Sequence, residues 1–180
     1  MWRFVRAHLP ECAPTLVDAD ERVVAIARRW FYLRQPVAID SAERFLAGTT
    51  ERFDAVLVDL YDARGPAGMD AAFWGHCLDV LAPGGCLATN WADFAANRQV
   101  KPMAEAQAEL ARVRGLGCLY VTRRGFRDNL VQYLPTAAGL GPEGLVAAHA
   151  RFVGERRLAR RGRGILEDCL ISTGFPVEIG

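Results

Sequence analysis

Carboxylates recur in this chain where an apolar run gives way to a helical or turn-forming stretch. The run at residues 15–19 ends in Asp18 with Asp20 just beyond, residues 36–40 end in Asp40, and residues 54–59 end in Asp59 with Asp62 close behind. Ionised carboxyl oxygens are acceptors only, so such a group matches the vicinal hydroxyls of a ribose. Asp18 has the placement for that role. Two acids in a partly desolvated cleft attract a cation more strongly than water permits, and Asp59 with Asp62 has the spacing for it. Plainer roles fit the same residues: Asp20 can cap the free N–H groups of a following helix, and Asp62 can open a turn ahead of Gly65 and Pro66.

The elements that must position these acids are legible from periodicity. After the first run, Val23, Val24, Ala27, Trp30 and Phe31 recur at helical spacing between residues 21 and 33, which predicts an amphipathic helix. The same strand-then-helix order returns with PVAID (36–40) and SAERFLA (41–47). DAVLVD (54–59) has an unbroken apolar centre, suited to a strand covered on both faces of a parallel sheet. A helix from about Met69 to Leu81, the turn Pro83-Gly84-Gly85 and a strand CLATNW (86–91) complete a further unit. Residues 101–115 read as helical, and GCLYVT (117–122) with NLVQYL (129–134) as a hairpin at the sheet edge. Trp30, Trp74 and Trp91 are expected as core or interface anchors. Residues 143–161 read as a polar helix.

Alternation of this kind predicts an α/β fold with a doubly wound, mostly parallel sheet and an antiparallel edge hairpin. In such sheets ligands bind at the carboxyl ends of the strands, where the acids lie. The glycine-rich loop of a nucleotide-binding fold falls about 20 residues before the ribose-binding acid, at or before Met1. Residues 2–9 read as the helix that would follow it. The expected organisation is therefore a Rossmann-like nucleotide-binding domain over residues 1–136, with its first strand missing, and a C-terminal helical extension over residues 137–180.

Composition narrows the classes of function. A chain of 180 residues, 51% of them hydrophobic, suits one domain of ordinary size. No apolar stretch reaches the length of a membrane span and no leader opens the sequence, so a cytoplasmic protein is expected. Cys12, Cys77, Cys86, Cys118 and Cys169 lie far apart, without a CxxC pair, and are expected as buried free thiols. With His8, His76 and His149 equally scattered, no metal is expected. Arg156, Arg157, Arg160, Arg161 and Arg163 crowd one segment, while Lys101 is the sole lysine. A solvated helix face explains that cluster more simply than a nucleic-acid patch, and neither nucleic acid nor membrane is expected as a partner.

Three blocks carry a more specific signal. LVDADERVVAIARRWF (16–31), FDAVLVDLYDARGPAG (53–68) and FWGHCLDVLAPGGCLATN (73–90) resemble successive segments of the spermidine synthase (polyamine aminopropyltransferase) family. The middle one is the most telling, with Asp59-Leu60-Tyr61-Asp62 followed by Gly65-Pro66-Ala67. The resemblance implies a Rossmann-like fold of the S-adenosylmethionine-dependent methyltransferase type. It also implies transfer of an aminopropyl group from decarboxylated S-adenosylmethionine to a small-molecule amine, in a homo-oligomer such as a dimer. Asp59 resembles the catalytic base. Asp62 would hold the charged amine, with Tyr61 either lining its pocket or packing. Asp18 would bind the ribose of the adenosyl nucleoside, and Asp40 with Ser41 the adenine amino group.

The chain departs from the family pattern at Asp18, where the family usually has Glu, and near Asn90, where it commonly has Gln. The family's N-terminal β-rich segment is also absent. Two further classes stay open: a methyltransferase using S-adenosylmethionine on a small molecule, and a non-catalytic remnant serving as an oligomer subunit. A missing central strand leaves backbone groups unpaired on both neighbours; residues 165–172 or a second copy of the chain are candidates to pair them.

Overall fold

The computed structural model describes residue 5 and residues 7–62, 65–66, 69–92, 98–123, 129–136, 141–155 and 169–173; the side chains of residues 62, 65–66, 123 and 152–155 are not described. The chain divides into two compact units, Met1–Thr49 and Thr50–Gly180.

In the first unit, strand β1 (Leu16–Asp18) leads into helix α1 (Glu21–Trp30), and strand β2 (Val37–Ile39) into helix α2 (Ala42–Gly48). The two strands pair in parallel, with Val17 opposite Ala38. Each helix starts on a side-chain cap, which satisfies N–H groups that have no partner within the helix. Asp20 accepts from the Arg22 amide at 2.8 Å, and Ser41 Oγ accepts from the Arg44 amide at 3.2 Å. The helix spacing is as expected, but α1 buries only Val24, leaving Ile26 and Trp30 exposed at 53% and 64%. Trp30 is therefore no core anchor. Three-residue strands offer too little area to cover a ten-residue helix, and the Trp30 ring instead carries the Arg29 guanidinium 5.0 Å from its centroid.

The Arg22 guanidinium, bonded to Asp20 at 3.0 and 2.7 Å, lowers that carboxyl from 3.8 to about 2. A carboxyl with a depressed folded-state pKa contributes stability above its unfolded value and loses it as pH falls through the folded one. Protection of the α1 amides, measured against their intrinsic exchange rates, is thus expected to hold steady above pH 3.8 and to fall toward pH 2. Asp20→Asn, which keeps the capping oxygen without the charge, should flatten that profile.

Among the described residues the second unit is built on a five-stranded sheet whose strands lie side by side in the order Phe53–Val58, Leu81–Ala92, Asn129–Pro135, Leu119–Arg123, Cys169–Ser172. It comprises β3 (Phe53–Val58), β6 (Leu81–Ala92), β7 (Leu119–Arg123), β8 (Asn129–Pro135) and β9 (Cys169–Ser172). Strands β3 and β6 run parallel, and the remaining neighbours antiparallel. A short antiparallel pair, β4 (Tyr61–Asp62) and β5 (Gly65–Pro66), follows β3. Helices α3 (Ala71–Asp79), α4 (Val100–Val113) and α5 (Pro142–Glu155) also belong to the unit. The class is the α/β arrangement that the alternating pattern predicts.

Two expectations need correction. Residues 169–172 pair with β7, not with an orphaned central strand, so among the described residues β9 rather than the β7–β8 hairpin forms that edge of the sheet. At the other edge, β3 is bonded to β6 alone among the described residues. Asp54, Ala55 and Leu57 are accordingly exposed, although their run reads as a strand covered on both faces.

The Pro83-Gly84-Gly85 turn is absorbed into β6 as an irregularity. Opposite two steps along β3, from Phe53 to Ala55, β6 advances from Leu81 to Cys86. Gly84 takes φ 81°, and a Cβ on Gly85 would sit 2.9 Å from the Ala82 carbonyl and 3.0 Å from that of Asp54. Only glycine tolerates both demands.

The core lies where α3 and α4 meet the sheet. Trp74 and Trp91 are fully buried and meet edge to face at 5.8 Å. Their surroundings include a polar network. Trp91 Nε1 donates to Gln132 Oε1 at 2.9 Å, Gln132 Nε2 donates to the Ala104 carbonyl at 2.9 Å, and Gln107 Nε2 donates to Thr89 Oγ1 at 2.8 Å. Of the five free cysteines Cys77 is buried as expected, whereas Cys86, Cys118 and Cys169 are half-buried and Cys12 is exposed. Burial pushes the Cys77 thiol up to about 12, which leaves it protonated and inert. No helix among the described residues is long and apolar enough to cross a membrane. The arginine cluster at residues 156–163 lies outside the described residues.

Candidate functional site

Parallel pairing brings the acids of the first unit to one end of its sheet. With Asp18 opposite Ile39, the next residue, Asp40, donates its backbone N–H to the Asp18 carbonyl at 3.2 Å. Both carboxylates therefore leave the carboxyl ends of neighbouring strands. Each is turned by the backbone that follows it: Asp18 Oδ1 accepts from the Asp20 amide at 2.8 Å, and Asp40 Oδ1 from the Ser41 amide at 2.8 Å. Both side chains are half-buried.

Asp40 is further held by Arg44, whose Nε donates to it at 2.6 Å across one helical turn. Ser41 is half-buried and caps α2. Among the described residues Asp18 is thus oriented by a backbone donor, whereas Asp40 is also ion-paired.

The second unit carries its own acids at a strand end. The parallel register sets Val58 opposite Thr89, which puts Asp59 and Asn90 side by side just past the paired segment. Asn90 Nδ2 donates to Asp59 Oδ1 at 3.0 Å. Tyr61 donates its hydroxyl to the Asn90 carbonyl at 2.9 Å and accepts from the Ala92 amide. Its hydroxyl therefore ties β4 to the end of β6, while the residue as a whole remains 38% exposed. Asp59 is exposed. The Asp62 backbone lies in β4 opposite Gly65; its side chain is outside the described residues.

Asn90 stands in the sequence as a departure from a family pattern; the structure places it against the candidate base. Only part of the signal was local: taken as parallel neighbours, the ends of FDAVLVD and CLATNW set Asp59 beside Asn90, but nothing in either segment fixes that pairing. Alternation along β6 supplies the direction, because Thr89 and Trp91 point into the core and the residue between them must face the opposite side.

This arrangement offers acceptor-only oxygens at the ends of β1 and β2, and a carboxylate held by a neutral amide donor at the ends of β3 and β6. Among the described residues no group of three His, Cys, Asp or Glu side chains could hold a metal ion.

No family model matches the chain. The polyamine aminopropyltransferase of Chromobacterium violaceum is 34% identical over 101 residues, covering 49% of this chain and 37% of that protein. The polyamine aminopropyltransferase of Prochlorococcus marinus is 31% identical over 97 residues, covering 47% of this chain and 34% of that protein. The chain thus spans little more than a third of the length of these relatives. Among solved structures, spermidine synthase from Thermotoga maritima superposes with a TM-score of 0.52 at 15% identity, over 68% of this chain and 45% of that one. A spermidine synthase solved with the transition-state analogue AdoDATO superposes equally well, at 14% identity over 68% of this chain and 44% of that one. On an α/β fold shared with spermidine synthase, about half of this chain, 49% in the longest of these alignments, is similar in sequence to the polyamine aminopropyltransferases.

Proposed function

We propose that this chain carries the strand-end machinery of an aminopropyltransferase, moving an aminopropyl group from decarboxylated S-adenosylmethionine to a small di- or polyamine. The observation that carries this reading is the 34% identity with a polyamine aminopropyltransferase. Asp59, held by Asn90 at 3.0 Å, supplies the base that the chemistry requires.

An ammonium has no lone pair, so a proton must leave the amine before it can attack. Asp59 accepts that proton. The freed nitrogen then bonds to the aminopropyl carbon attached to the sulfonium, the carbon–sulfur bond breaks with its electron pair going to sulfur, and methylthioadenosine leaves. Asp62 holds the amine's charge, beside Tyr61.

In the first unit Asp18 accepts the ribose hydroxyls, and Asp40 with Ser41 faces the adenine amino group. The residues present fit an adenosyl group in chemical type, since both carboxylates leave strand ends and both have backbone donors fixing one oxygen. The active form is a homodimer in this reading.

The test is calorimetric titration of the chain with methylthioadenosine, followed by an assay of the natural gene product with decarboxylated S-adenosylmethionine and a panel of amines. Nucleoside binding with an aminopropylated product upholds the reading. Binding with no such product, or a methylated product from S-adenosylmethionine without amine preference, overturns it.

A further inference from the structure

Asp59 and Asn90 come from different strands and meet through one hydrogen bond, Asn90 Nδ2 to Asp59 Oδ1 at 3.0 Å. From this contact and the way Asn90 itself is fixed, we infer that Asn90 is a positioning residue. It holds one oxygen of the Asp59 carboxylate so that the other is presented to the substrate proton. This inference rests on the aminopropyltransferase reading for its catalytic consequence and on geometry alone for the contact.

Three observations make Asn90 a rigid support rather than a chance neighbour. Its backbone is in the ladder, opposite Val131 of β8. The residues on either side are pinned in the core, Thr89 by Gln107 at 2.8 Å and Trp91 by Gln132 at 2.9 Å. Its carbonyl accepts the Tyr61 hydroxyl at 2.9 Å, from the same short segment that follows Asp59. The Asn90 amide therefore approaches Asp59 from a strand that cannot rotate, while Asp59 is exposed past the end of β3 and would otherwise sample several rotamers.

The chemistry of the contact matters as much as its geometry. An amide N–H₂ donates without carrying charge, so it orients the carboxylate without competing as a cation for the site an ammonium must occupy. A lysine or arginine in its place would orient the same oxygen but repel the substrate.

Two measurements test this. In the first, the side-chain amide resonances of Asn90 are followed by NMR in the unmodified chain and in Asp59→Ala, with no reaction required. Displacement of those resonances upholds the contact, and resonances that stay in place overturn the inference.

In the second, steady-state kinetics compare Asn90→Ala with Asn90→Asp. A residue that merely packs would be replaced well by the isosteric Asp and poorly by Ala. A donor to Asp59 predicts the reverse: kcat falls about tenfold for Asn90→Ala and further for Asn90→Asp, which sets a like charge against Asp59, with the KM for the nucleoside unchanged. In an Asp59→Asn background the Asn90→Ala loss should vanish, because residues acting as one unit are not additive. Retention of activity in Asn90→Asp, or full additivity, overturns the inference. If the unmodified protein transfers no aminopropyl group, the proposed reaction fails and the NMR comparison alone decides the contact.

Discussion

Asp59→Asn is expected to lower kcat for aminopropyl transfer by about 10²- to 10⁴-fold, the usual contribution of a positioned general base. Methylthioadenosine affinity should stay within about threefold, a change of under about 1 kcal/mol. The substitution keeps the shape of the side chain and an oxygen able to accept from Asn90 Nδ2, so the 3.0 Å contact survives it. What is lost is the capacity to take a proton at physiological pH, since a carboxamide is far too weak a base to be protonated there. The proposed nucleoside ligands Asp18, Asp40 and Ser41 are turned by their own local backbone, at 2.8 Å for each carboxylate, and none of these bonds involves Asp59. Steady-state kinetics paired with calorimetry separates the outcomes. Turnover lost with affinity kept identifies a base, whereas loss of both identifies a structural role.

The largest expected effect on stability lies in the core of the second unit. Trp91→Ala should destabilise the fold by about 3–5 kcal/mol, lowering the melting temperature by on the order of 10 °C. Trp91 is fully buried, packs against Trp74 at 5.8 Å, and donates to Gln132 Oε1 at 2.9 Å. Truncation therefore leaves a cavity and strands an acceptor that has been removed from water. Trp30→Ala, at a side chain 64% exposed, should stay within about 0.5 kcal/mol. Thermal unfolding followed by circular dichroism distinguishes the two. Equal losses would mean that burial does not set the cost.

The two tryptophans also show what a sequence reading can carry. Both occur in helix- or strand-forming stretches, and both read as anchors. Periodicity identifies which face of an element is apolar, but not whether another element exists to cover that face. Trp91 sits on a strand bonded on both sides, by β3 and β8, with α3 contributing the packed Trp74. Trp30 ends a helix beside a sheet of two three-residue strands. The same limit applies to β3, whose apolar run predicts coverage on both faces although Leu57 is 54% exposed.

The acids were legible for a different reason. A carboxylate following an apolar run marks the end of a strand, and parallel pairing aligns such ends without further information. Asp18 and Asp40 are linked in this way by one backbone bond at 3.2 Å. Asp59 was legible in the same sense, as the acid that directly follows the apolar run of β3. Arg44 was not: its bond to Asp40 at 2.6 Å is one of many i,i+4 pairs that a helix permits, and nothing in the spacing singles it out.

The sequence by itself determined the alternation of strands and helices, the capping of α1 by Asp20, and the placement of acids at strand ends. These follow from local periodicity and from side chains reaching their own backbone within a few residues. Tertiary structure alone decided that Asn90 meets Asp59, that Tyr61 ties its segment to the end of β6, and that residues 169–172 join β7. Those contacts join residues 31 and 29 positions apart in the first two cases. Which distant segments pair depends on strand register and on competition among all available edges, quantities that no local pattern encodes.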